Sequence, residues 1–178
     1  SINNDSHKLL DVCFEQLLKK DISNAKRIAF SSFSHCIQQN KNDTFKYLIN
    51  HFKTAFPPIF MNFDWCSQLM PLACKMKNFE LVKLILNLNS ENAFSTASFM
   101  DSFYMAALSG SFEICQYLVD QKVLDKDDFQ SLLRKSDKLV TISKEIFELI
   151  LKNSNEQMKE HYFSSLLYPA IQKNNIEI

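Results

Sequence analysis

The chain has 178 residues, 46 % of them hydrophobic, and its 20 Lys plus Arg balance its 20 Asp plus Glu to give zero formal charge. That length suits one compact domain or about five units of a repeat array, and charge neutrality argues against a broad field that would gather nucleic acid or an anionic membrane. A single Gly and four Pro disfavour barrels, sandwiches and Gly-rich phosphate loops, and no apolar run reaches the ~18 residues of a membrane span.

His7 to Lys20 carries Leu9, Leu10, Cys13, Phe14, Leu17 and Leu18 at helical spacing. Asp21 is expected to start a second short helix through Ile22, Ala25, Ile28 and Ala29, which closes an N-terminal capping pair over residues 1–30. Phe33, Cys36 and Ile37 then mark the inward face of the next helix, and Asn40-Lys41-Asn42 turns the chain into a partner from Asp43 to Phe52. The connector KTAFPPIFMNFDWCS contains Pro57-Pro58, which excludes helix there. Helix is predicted to resume from Leu69 to Met76 and again from Phe79 to Leu88. After a connector from Asn89 to Met100 comes DSFYMAALSGSFEICQYLVD, two short helices around Gly110-Ser111. Asp127 to Arg134 and Lys144 to Lys152 are further predicted helices, with a loop from Lys138 to Ile142 between them. A last unit starts at Tyr162 and runs to Ile178.

The second helices repeat one pattern: Asn78-Phe79-Glu80-Leu81, Ser111-Phe112-Glu113-Ile114, Ser143-Lys144-Glu145-Ile146 and Asn175-Ile176-Glu177-Ile178. The acidic position falls at Asp43, Glu80, Glu113, Glu145 and Glu177, spaced 37, 33, 32 and 32 residues apart. The small residue of the first helix falls at Cys36, Ala73, Ala106 and Ala170, so two independent positions keep the same period. Asn78, Ser111, Ser143 and Asn175 are placed to cap the second helices, and the carboxylates sit at the positive ends of the helix dipoles. The pairs Leu48-Ile49, Ile85-Leu86, Leu118-Val119 and Ile150-Leu151 supply the layer between units; one hairpin could not bury that surface alone.

Two short helices at a period near 33 make the chain resemble the ankyrin repeat. Phe103, Ala106, Ala107, Gly110, Glu113, Ile114 and Leu118 match the family pattern. Met70, Ala73, Glu80 and Leu81 match in the unit before, and Leu167, Ala170, Glu177 and Ile178 at the end. The resemblance covers roughly residues 30–178. It departs from the family in lacking Thr-Pro-Leu-His, with Tyr104 where the histidine would stand. It also has Asn40, Lys77 and Asn174 where the turn glycine would stand. Asn tolerates the left-handed conformation, whereas Lys77 fits it poorly. The expected architecture is therefore all-α: an α-solenoid of stacked antiparallel helix pairs with few or no β-hairpin fingers. Its units would span 31–66, 67–99, 100–126, 127–160 and the start of a further one over 161–178.

Little in the chain points to catalysis. His7, His35, His51 and His161 are scattered, and the five cysteines show neither C-x-x-C spacing nor an even count. Cys13, Cys36, Cys66, Cys74 and Cys115 fit a reduced, intracellular setting better than a disulfide scaffold. Adjacent His35 and Cys36 point ~100° apart on a helix, which suits a packed thiol and a surface imidazole. No catalytic, cofactor or metal residue is nominated. The resemblance implies instead a protein partner held on the concave face of the first helices. Leu72, Met76, Met105 and Leu108 would line that groove, with Tyr104 and His35 on the same side. Trp65 is the connector aromatic nominated as a contact, and Phe60, Phe63 and Phe99 are also expected in connectors. No nucleic acid and no membrane span are expected. The expected setting is the cytoplasm, or a host's cytoplasm if the source is an intracellular pathogen. The final NNIEI falls inside a predicted helix, so a larger protein is the second expectation, with this chain as the recognition arm of an enzyme or effector.

Overall fold

A computed structural model describes residues 12, 16, 22–55, 65–88, 95–134 and 142–154. These form eight helices: α1 (Ile22–Gln38), α2 (Asn42–Ala55), α3 (Trp65–Lys75), α4 (Phe79–Leu88), α5 (Thr96–Ser109), α6 (Phe112–Asp120), α7 (Lys126–Arg134) and α8 (Lys144–Asn153). There is no strand among the described residues. The chain divides into two compact units, 1–65 and 66–178. The helix expected over His7 to Lys20 and the last unit from Tyr162 lie outside the described residues, except that Val12 and Gln16 are helical.

In the first unit α1 runs unbroken through the join expected at residues 30 and 31. Ala25, Ala29, Phe33, Cys36 and Ile37 form one buried stripe at helical spacing. The Ser32 hydroxyl donates back to the Ile28 carbonyl at 3.0 Å, so the serines do not open the helix. Packed on α1, α2 buries Phe45, Leu48, Ile49 and Phe52. The Phe33 ring stands 5.3 Å from Phe45 and 5.5 Å from Phe52, in edge-on and tilted geometry. Each such aromatic pair adds about 1 kcal/mol beyond its buried area.

At the start of the second unit, α3 begins at Trp65 rather than Leu69, which puts Pro71 past its first turn. Proline removes one helical hydrogen bond and costs about 3 kcal/mol. Leu69, Met70, Ala73 and Cys74 are all buried. At about 2 kcal/mol for each large side chain, the stripe outweighs that loss. Helix α5 likewise begins earlier than expected, at Thr96 rather than Asp101. Ser95 caps it, its hydroxyl accepting the Ser98 N–H at 3.3 Å. Phe99, expected in a connector, is consequently a fully buried residue of α5.

Packing in this unit follows two rows. α5 packs on α6 and α7 on α8; α6 also touches both α4 and α8, and α5 touches α7. Phe79 of α4 meets Tyr117 of α6 with ring centres 5.2 Å apart, and Phe103 of α5 meets Phe129 of α7 at 5.5 Å. Across the first-helix row, the Ser109 hydroxyl of α5 donates to the Cys74 carbonyl of α3 at 3.2 Å.

One turn closes three helix pairs. Asn40, Lys77 and Gly110 all have left-handed backbones, with φ of 51°, 56° and 74°. The residue after each donates its N–H five residues back: Lys41 to the Cys36 carbonyl at 2.9 Å, Asn78 to Ala73 at 3.0 Å, Ser111 to Ala106 at 3.0 Å. The left-handed residues donate to Ile37, Cys74 and Ala107. These paired bonds satisfy the terminal carbonyls of α1, α3 and α5. Lys77, although poorly suited to this conformation, adopts it. Two hydrogen bonds at about 1 kcal/mol each offset the ~1–2 kcal/mol of left-handed backbone. Lys122 is also left-handed, at the end of α6.

The caps are less uniform than the sequence suggests. Asn78 accepts the Leu81 N–H at 3.1 Å and Ser143 accepts Ile146 at 3.5 Å. Ser111 makes no such bond. Its ψ of 83° departs from the extended 139° and 155° of Ser95 and Ser143, so its hydroxyl is not carried over the first-turn amides. Asn175 lies outside the described residues. Asp125 supplies a cap that the repeat does not announce. It accepts the Asp127 and Asp128 N–H groups at 2.9 Å, and Asp128 reciprocates to the Asp125 N–H at 3.0 Å. Asp43, Glu80, Glu113 and Glu145 all sit in first turns, as their repeat position implies.

Candidate partner-binding surface

The nominated residues of the second unit come from α3, its closing turn and α5. On α3, Leu69, Met70, Ala73 and Cys74 face the core, which leaves Leu72 and Met76 on its flank. On α5, Phe103, Ala106 and Ala107 face inward, which places Tyr104, Met105 and Leu108 on the opposite side. The Ser109–Cys74 bond sets the C-terminal ends of the two helices side by side. Leu108 precedes the donor, and Met76 stands two residues after the acceptor.

All five side chains are half-buried. The row is thus shallower and better covered than four exposed apolar residues would make it. The Ser109–Cys74 tie sets α5 beside α3, and each of these side chains keeps only part of its surface open. His35 is exposed on α1, with Gln38 and Gln39 exposed near it, but it belongs to the first unit. Trp65 begins α3, and its side chain lies outside the described residues, as do Phe60 and Phe63.

The most exposed large apolar side chains among the described residues are elsewhere: Val12, Phe112, Tyr47 and Val123. Phe112 occupies the repeat position of Phe79. Phe79 is half-covered, because Tyr117 packs edge-on against it and the Lys83 ammonium lies 3.8 Å over its ring. The Phe79–Lys83 contact is legible in hindsight, since residues four apart share a helix face. Phe112 has Gln116 at the matching place and remains 43 % exposed. Single exposed apolar residues of this kind do not make a patch.

The thiols read as core. Cys36, Cys74 and Cys115 are buried and free. Burial pushes the Cys115 thiol up to about 12. It raises Cys74 further, with a smaller contribution from the neighbouring Cys115. Cys36 is raised by burial, with Lys41 pulling the other way. Such thiols stay protonated near neutral pH and are weak nucleophiles. His35 is exposed while Cys36 is 4 % exposed, the arrangement expected of a packed thiol beside a surface imidazole. Among the described residues no three His, Cys, Asp or Glu side chains gather as a metal site, and no helix is long and apolar enough to cross a membrane.

No family model, curated protein or solved structure matches this chain.

Proposed function

We propose that this chain is a protein-binding scaffold, an ankyrin-like stack of helix pairs that holds a partner along its first helices. The observation that carries the reading is the row Leu72, Met76, Met105 and Leu108. These apolar residues come from two successive first helices joined by the Ser109–Cys74 bond, and none is withdrawn into the core. The shared turn at Asn40, Lys77 and Gly110, recurring at the sequence period, supports the repeat. Half-buried methionines suit recognition of a protein surface, because the thioether chain adapts to the shape it meets. Tyr104 adds an amphipathic rim.

The test is affinity capture with Met105→Glu/Leu108→Glu beside the unaltered chain and a control, Glu148→Lys, at an exposed position of α8. Loss of a partner by the groove variant alone, with helical content unchanged, supports the reading. Equal capture by all three would place binding elsewhere.

A further inference from the structure

Lys77 is the residue that the repeat explains least. Its position takes Asn in one turn and Gly in another, both better suited to a left-handed backbone, yet a lysine stands there at φ 56°. Lys77 is exposed, and so is Lys75, and the two bracket Met76 at the end of the apolar row. Neither ammonium has a carboxylate or hydrogen-bond partner among the described residues. No acidic residue lies in α3 or its turn, from Trp65 to Asn78. Glu80 belongs to the first turn of α4, where the helix start holds it. The facing helix α5 contributes one carboxylate, Asp101, exposed seven residues before Leu108. At 1.5 Å per residue that is about 10 Å along the helix, towards the other end of the row.

Resting on the groove reading above, we propose that the occupant is an acidic amphipathic peptide segment of the partner. Its aliphatic side chains lie on Leu72, Met76, Met105 and Leu108, and its carboxylates meet Lys75 and Lys77. The charge is local, because the chain as a whole is neutral. Asp101 repels the acidic end and so fixes the direction in which the segment lies. On this account the strained lysine is kept for its charge at the expense of stability, which a glycine would improve. Lys122 supplies an internal control: it is also left-handed, with φ 56°, but follows α6, away from the row.

The experiment titrates the isotope-labelled chain with a synthetic Leu/Glu amphipathic peptide and its Leu/Lys counterpart at low salt. The Leu/Glu peptide is expected to shift amides of α3 and α5 and to bind more tightly. Lys77→Gly should weaken it about threefold, as one rim charge does, while raising Tm. Lys122→Gly should raise Tm and leave binding unchanged, and Lys75→Glu/Lys77→Glu should reverse the preference between the peptides. Equal binding of both peptides at α3 and α5, with Lys77→Gly raising Tm but not weakening either, would overturn the acidic partner and leave the groove intact. Binding of neither peptide would also overturn it. The groove would then be judged by the capture experiment, which does not depend on charge.

Discussion

Replacing Lys77 by glycine should stabilise the protein, although it removes a side chain from the turn that closes α3. A non-glycine residue in the left-handed region carries about 1–2 kcal/mol of steric cost. Glycine returns part of that gain, because its unfolded chain is freer by about 0.5–1 kcal/mol. The exposed Lys77 side chain has no partner among the described residues whose loss must be set against this. The net is about +0.5 to 1 kcal/mol, or roughly 2 °C in Tm for a chain of this size. Thermal melts by circular dichroism, with urea midpoints at constant slope, measure it. The reciprocal change is as informative. At Gly110 a Cβ would meet nothing within 4 Å. Any cost of Gly110→Ala is therefore conformational, about 1 kcal/mol, and Gly110→Val should cost more because it is β-branched. A destabilised Lys77→Gly, or a neutral Gly110→Val, would refute the left-handed turn as the shared closing device.

Other consequences follow from the caps, the carboxylates and the thiols. Asn78→Ala should cost about 1 kcal/mol through its lost bond to the Leu81 amide. Ser111→Ala at the equivalent position should change denaturant midpoints little, having no such bond to lose. The Glu145 carboxyl is held below the usual range, first by its own backbone N–H and then by the Ser143 hydroxyl. Its stabilising contribution should be present above the unfolded-state value of about 4.3 and fade as pH falls through the lower folded value. The difference between wild type and Glu145→Gln should shrink with it in an acid titration. Cys36, Cys74 and Cys115 should resist a thiol reagent in the native state and react as denaturant opens the fold; rapid native labelling at these positions would contradict their burial.

Much of the helical order was legible because burial in a helix leaves a periodic trace. Phe45, Leu48 and Ile49, or Ile146, Leu149 and Ile150, are spaced for one face and are buried on one face. The joins were harder to read. Ser31 and Ser32 resemble a break, yet the Ala25-to-Ile37 stripe continues through them and the helix follows the stripe. Thr96, Ala97 and Ser98 resemble a connector, but Ser95 caps ahead of them and Phe99 and Ser102 are buried behind. Helix α3 was expected from Leu69, yet it starts at Trp65 and runs through Pro71.

The candidate row was legible in direction but not in depth. Spacing alone places Leu72, Met76, Met105 and Leu108 opposite the core residues of their helices. How far neighbouring helices cover them depends on close approaches that no local pattern encodes. The Ser109–Cys74 bond joins residues 35 apart, and only the packed fold brings them together.

A protein partner lying along the α3–α5 row should be within reach of side chains placed in that row. Site-specific photo-crosslinking can show this, with the crosslinking residue placed at Leu72, at Met105 and, on α8, at Glu148. One partner should be captured from both Leu72 and Met105 and not from Glu148. Capture of that partner from Glu148 alone would contradict it.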